Sequence, residues 1–132
     1  VLVEGEKTAD AAQRLLPNMV AMTWAGGAKA YQHTDFAPLA GRKVICIPDA
    51  DAEGRAAFHG RTASRGRHVS GILEILADIG GIARCVEPSG MLADGWDLAD
   101  AEVAGWDTAR TIAWIKTQLG KPAPCRMTGT SR

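Results

Sequence analysis

The chain has 132 residues, enough for one domain with a real hydrophobic core. Its 15 basic and 15 acidic side chains cancel to a formal net charge of zero, so no global field draws it to nucleic acid or to a membrane surface. No stretch approaches the roughly 18 apolar residues of a membrane span, no signal peptide is evident, and the odd set Cys46, Cys85 and Cys125, without CxxC spacing, fits a reducing cytoplasm.

Val1-Leu2-Val3 reads as a first parallel strand, cut at its start. The absence of an initiator Met suggests a fragment of a longer protein. Glu4-Gly5 follows at once, and Glu6 to Leu16 has helical composition, with Ala9, Ala12, Leu15 and Leu16 near one face. Pro17-Asn18 ends that helix. Met19 to Trp24 is expected as a second strand, followed by a turn at Ala25-Gly26-Gly27-Ala28 and then Lys29. Residues 31 to 42 read as irregular, punctuated by Pro38 and Gly41.

Lys43 to Ile47 is the third strand, apolar and β-branched as suits a central position covered on both faces. Pro48 has no N–H for a sheet ladder, so pairing should stop there. Asp49 and Asp51 lie just beyond. Glu53 to about Arg65 begins as a helix, which Gly60 and Gly66 each weaken by roughly 1 kcal/mol against Ala. The run Arg61–His68 is thus either a kinked helix or a mobile loop. Ile72, Ile75, Leu76 and Ile79 recur at i, i+3, i+4 and i+7 and predict an amphipathic helix capped by Gly80-Gly81. Ile82 to Glu87 is the fourth strand, closed by Pro88. A loop with Gly90 and Gly95 leads into Gly95-Trp96-Asp97-Leu98-Ala99-Asp100-Ala101. Asp107 can cap a last helix to Leu119, with Lys116 and Lys121 near its end. Residues 121 to 132 read as a flexible tail.

Strands alternating with helices imply an α/β fold with a mainly parallel four-stranded sheet. The loops after the strands then share one edge, where ligands bind in such sheets. That edge would collect Glu4, Gly26-Gly27, Asp49 and Asp51. Asp49 and Asp51 supply oxygen ligands for a hard divalent cation; the plainer reading of Asp-x-Asp is a helix-capping loop. Between Glu53 and Glu74 there is no acid, but there are Arg55, Arg61, Arg65 and Arg67. An acidic centre beside a basic arm suits metal-assisted chemistry on phosphates, and two solvated helix faces are the alternative. His33, His59 and His68 lack zinc-ligand spacing and read as surface or loop residues. Cys46 and Cys85 read as buried thiols within strands. Trp24 and Trp96 offer either base stacking or packing at the rim, and Tyr31 reads as a loop aromatic.

Val3-Glu4-Gly5, Gly26-Gly27 and Pro48-Asp49-Ala50-Asp51-Ala52-Glu53-Gly54, in this order and each after its strand, resemble the Toprim domain of primases, topoisomerases and some nucleases. The resemblance covers about residues 1 to 101. Glu4-Gly5-Glu6-Lys7-Thr8-Ala9-Asp10, Gly26-Gly27-Ala28-Lys29, Gly54-Arg55 and Gly95-Trp96-Asp97-Leu98-Ala99-Asp100 are similar to Toprim segments in primases and primase-helicases of phages, plasmids and mobile elements. It implies a small Rossmann-like three-layer sandwich, a Toprim domain over residues 1–120 with its C-terminal helix at about 107–119, and Mg2+ or Mn2+ as cofactor. Glu4, Asp49 and Asp51 then take catalytic and metal-binding roles, with Asp97 or Asp100 as a later acid. Lys7, Gly26, Gly27, Lys29 and Arg55 would meet phosphates or nucleic acid, Arg55 alternatively pairing with Asp51. The implied partners are a DNA template and nucleoside triphosphates, with zinc-binding primase and helicase domains elsewhere in the parent protein. Primer synthesis in the resembled enzymes uses an additional domain ahead of Toprim and often a zinc module, and neither is expected within these residues. Primase, nuclease and non-catalytic interaction module remain open as functions on the same fold.

Overall fold

The computed structural model describes residues 1–88 and 92–119. The expected loop glycine Gly90, Lys121 and the tail at 121–132 lie outside the described residues. A parallel sheet carries strands β1 (Leu2–Val3), β2 (Lys43–Ile47) and β5 (Ile82–Cys85) in the order β1-β2-β5. Leu2 faces Cys46 across the first pair, and Cys46 faces Cys85 across the second. Pairing of β2 stops at Pro48, as its missing N–H requires.

Alternation along the strands sends side chains into two separate cores. Leu2, Val44 and Cys46 join Trp24, Phe58, Ile72 and Leu76 on one face. Val3, Ile47 and Val86 join Ala12, Leu15, Leu98 and Ile115 on the other. The first core is roofed by α2 (Ala52–His59) and α3 (Ile72–Asp78), the second by α1 (Glu6–Leu15), α4 (Leu98–Val103) and α5 (Thr108–Leu119). The helices on both faces make the molecule α/β with the sheet in the middle layer.

Several local features match the sequence closely. Asp107 Oδ1 accepts the Arg110 N–H at 2.8 Å, starting α5. Gly80, at φ 81°, ends α3: its N–H reaches Ala77 O at 3.1 Å, and the Gly81 N–H reaches Leu76 O at 2.8 Å. That pair of bonds is a Schellman closure.

Other expectations are corrected. The anticipated strand at Met19–Trp24 is reduced to one parallel bridge, Leu2↔Met22, so the sheet has three strands rather than four. Val20 and Met22 face solvent at this edge, and Trp24 turns inward instead of continuing the ladder. The helix after Asp51 stops at His59 rather than near Arg65. Gly60 adopts φ 86°, and a Cβ there would lie 2.7 Å from Val69 O. Beyond Gly60 the chain forms neither a kinked helix nor an unstructured loop but an antiparallel hairpin, β3 (Arg61–Thr62) with β4 (His68–Val69). Its turn holds Arg65 at φ 62°, the one non-glycine residue with positive φ among those described. The segment expected to be irregular at 31–42 overlaps one 3-10 turn, Ala28–His33, and contains another, Ala37–Leu39. Leu98–Val103 is a helix, closed at its start by a reciprocal capping box between Asp97 and Asp100. Regular pairing of β5 ends at Cys85 rather than Glu87, although the Val86 N–H still reaches Cys46 O at 2.8 Å.

Phe58 is fully buried and packs edge-on against Trp24 with centroids 5.8 Å apart. Phe58→Ala is expected to cost about 3–5 kcal/mol, read as a lowered urea midpoint with little change in the slope.

Candidate metal centre at the strand-end rim

Glu4 leaves β1 and Asp49 leaves β2, on neighbouring parallel strands and at the same end. The two loops are joined directly: the Asp49 N–H donates to Glu4 Oε2 at 2.8 Å. This contact exists because residue 54 has no side chain. A Cβ on Gly54 would sit 2.4 Å from Asp49 O and 2.7 Å from Glu4 Oε2. Asp51 turns the chain into α2, its Oδ1 accepting the Gly54 N–H at 2.6 Å. The plainer reading of Asp-x-Asp, a helix-capping loop, thus holds at Asp51, which caps α2.

A third loop closes on this pair. The Ala50 N–H donates to Trp96 O at 2.9 Å, and the Gly95 N–H returns to Ala50 O at 3.0 Å. This brings Asp97 to the rim. Its Oδ1 caps α4 through Ala99 and Asp100, and its Oδ2 accepts the Thr8 hydroxyl of α1 at 3.0 Å. Asp97 thus knits α1 to α4, while its charge bears on the other acids.

Crowding sets the electrostatics. Burial pushes the Asp49 carboxyl up to about 8, and Glu4, Asp97, Asp51 and Asp100 add to the shift. Glu4 is also raised, by burial first; the bond from Asp49 opposes the rise, and Asp51, Glu53 and Asp97 add to it. Asp49 Oδ1 is buried and has no hydrogen-bond partner. An orphaned carboxylate oxygen facing other acids fits a hard cation, whose charge removes the repulsion and whose coordination satisfies the oxygen. The acids do not close into one tight set. Among the described residues, the only three His, Cys, Asp or Glu donors all within 4.8 Å of one another belong to another cluster, His59, Cys85 and Glu87. What the rim offers is carboxylate oxygen, the donor type that a hard divalent cation takes.

The remaining candidates are distributed around this centre. Gly26 and Gly27, at the expected turn, have φ of 93° and 88°, and Gly27 O accepts the Trp24 Nε1–H at 2.8 Å. Lys29 lines a cavity of about 300 Å3 with Glu53 and Arg61, between the 3-10 turn and α2. Lys7 and Arg55 are exposed in the first turns of α1 and α2. Among the described residues none of these three cations forms an ion pair. Trp24 is buried against Tyr31 and Phe58, so it offers no stacking face. Trp96 packs with Trp106 and Trp114 at centroid distances of 5.5 and 5.2 Å. Tyr31 is buried and donates to Ser70 O at 2.8 Å.

Sequence reasoning missed the His59–Cys85–Glu87 cluster. One signal was present: Cys85 and Glu87 are two apart at a strand end, hence on one side of the sheet. His59 is 26 residues away, and no spacing rule pairs it with them. No family model matches the chain, and no curated protein or solved structure matches it.

Two predictions arise here. Below about pH 4 the Asp49 carboxyl is protonated in both folded and unfolded chains. Between about 4 and about 8 the unfolded chain ionises while the folded one holds its proton, so rising pH favours unfolding; above about 8 the penalty is constant. Metal-free protein is expected to lose stability across that window, and Asp49→Asn to flatten the loss, as seen by thermal melts at stepped pH. Gly54→Ala, despite the better helix propensity of alanine, is expected to destabilise by about 1–3 kcal/mol, measurable by urea titration.

Proposed function

We propose that this chain is the Mg2+- or Mn2+-dependent Toprim catalytic module of a DNA primase, of the kind carried by phages, plasmids and mobile elements. Its reaction is nucleotidyl transfer in RNA primer synthesis, on a DNA template with nucleoside triphosphates as substrates. The observation that carries this reading is the meeting of Glu4, Asp49 and Asp51 at one rim, with the Asp49 Oδ1 oxygen buried and unsatisfied. The sequence resemblance supplies the rest.

A bound divalent ion supplies activation of a 3′-hydroxyl and neutralises the phosphates of the incoming nucleotide. Asp49 and Asp51 would hold it, the unpartnered Asp49 Oδ1 being the oxygen left for that role. Glu4 fixes the Asp49 peptide through Oε2, and its raised proton affinity suits it to receive the proton that leaves the hydroxyl. Asp97 stands behind these groups, its oxygens committed to α4 and Thr8. Lys7, Lys29 and Arg55, exposed near the glycine turns and the start of α2, neutralise phosphate oxygens. Zinc-binding primase and helicase domains of the parent protein complete the enzyme, in the cytoplasm. No helix among the described residues is long and apolar enough to cross a membrane.

Calorimetric titration with Mn2+ or Mg2+ is expected to show weak binding that Asp49→Asn with Asp51→Asn abolishes. Unchanged affinity in the double variant overturns the metal assignment. The chain alone is expected to make little primer from template and ribonucleotides. Metal-dependent cleavage of DNA without any nucleotide incorporation would assign the same carboxylates to a nuclease instead.

A further inference from the structure

We propose a second metal site, separate from the rim carboxylates, in which His59 Nε2, Cys85 Sγ and a Glu87 carboxylate oxygen bind a zinc-class transition ion. The three donors come from α2 and from the end of β5, and lie within 4.8 Å of one another. Cys85 Sγ stands 3.7 Å from His59 Nε2, and His59 Nε2 stands 2.5 Å from Glu87 Oε1. Zinc bonds of about 2.3 Å to sulfur and about 2.0 Å to nitrogen, at a tetrahedral angle, place those two donors about 3.5 Å apart. The sulfur and nitrogen are therefore already at ligating separation. The carboxylate has to move back from the imidazole by under about 1 Å, a side-chain rotation at a partly exposed residue.

The scaffold holds the donors firmly. Val86 is buried in the core beyond the sheet, which sends Cys85 and Glu87 to the opposite face. The Val86 N–H donates to Cys46 O, extending the pairing between these donors. Gly60 stops α2 directly after His59, with its backbone pressed against Val69 and Gly71. The donor chemistry selects the ion. One thiolate, one imidazole and one carboxylate suit zinc, cobalt or ferrous iron; the all-oxygen rim suits magnesium or manganese. Binding displaces the Cys85 thiol proton, because the thiolate is the metal ligand. Three protein ligands leave a fourth position for water or an added ligand. His59 also lines a cavity of about 450 Å3 with Arg61, His68 and Glu74.

Titration of the full chain with Co2+ tests the assignment, since cobalt reports a thiolate ligand by a sulfur-to-metal charge-transfer band in the near ultraviolet. One equivalent is expected to develop the band, and Zn2+ to displace it. Cys125→Ser should leave it intact, as should Asp49→Asn with Asp51→Asn, which separates this site from the rim. Cys85→Ser is expected to abolish the band. His59→Gln, at an exposed position where folding is not at risk, should weaken cobalt binding beyond the roughly 10–100-fold cost of losing a supporting contact. No band in the wild-type chain at saturating cobalt would leave His59 and Glu87 as an ordinary ion pair and overturn the proposal. Persistence in Cys85→Ser, loss in Cys125→Ser, or unchanged affinity in His59→Gln would overturn it too.

Discussion

The rim is built on one hydrogen bond that needs an empty space. Glu4 Oε2 accepts the Asp49 N–H across neighbouring strand ends, and only a residue without Cβ fits beside that bond. Gly54 is therefore a helix residue chosen against helix propensity. Its backbone N–H also serves Asp51, so one glycine sets the spacing of three acids. The loop of Gly95 and Trp96 then latches onto Ala50 from the far side and delivers Asp97.

Such an arrangement is held against its own electrostatics. Burial and mutual repulsion raise the proton affinity of Asp49 and Glu4, and one Asp49 oxygen has no partner. The rest of the fold supplies the restraint. The sheet divides two hydrophobic cores, and both abut the rim: Trp24 and Phe58 lie beneath the Gly26-Gly27 turn and α2, while Leu98 and Ala101 anchor α4 behind Asp97. Aromatic side chains that could have served as stacking surfaces are spent instead on packing, Trp24 in one core and Trp96 against the other two tryptophans of its cluster.

Two donor sets with different chemistry thus lie on one small α/β unit. The rim set is all carboxylate, the donor type of hard cations. The set at His59, Cys85 and Glu87 is mixed, compact and suited to a softer one. They share the scaffold of α2: Asp51 caps its start and His59 is its last residue.

The sequence by itself determined the α/β class, a first strand within Val1–Val3, the strand Lys43–Ile47, a strand starting at Ile82 whose end it set two residues too late, the helix at Ile72 with its double-glycine closure, and the Asp107 cap. These depend on periodicity and on turn chemistry, which act over a few residues. It also marked Glu4, Asp49 and Asp51, because acids directly after apolar strands must lie at one sheet edge; Asp97 entered only through the family resemblance. Tertiary structure alone decided that Met19–Trp24 would pair through a single residue, since the pull of Trp24 into the core competes with the ladder. It alone turned Arg61–Val69 into a hairpin, because the end of α2 at Gly60 is fixed by a close approach to Val69. It alone brought His59 to Cys85 and Glu87: a helix end and a strand end meet by packing, and packing leaves no spacing in the sequence to read.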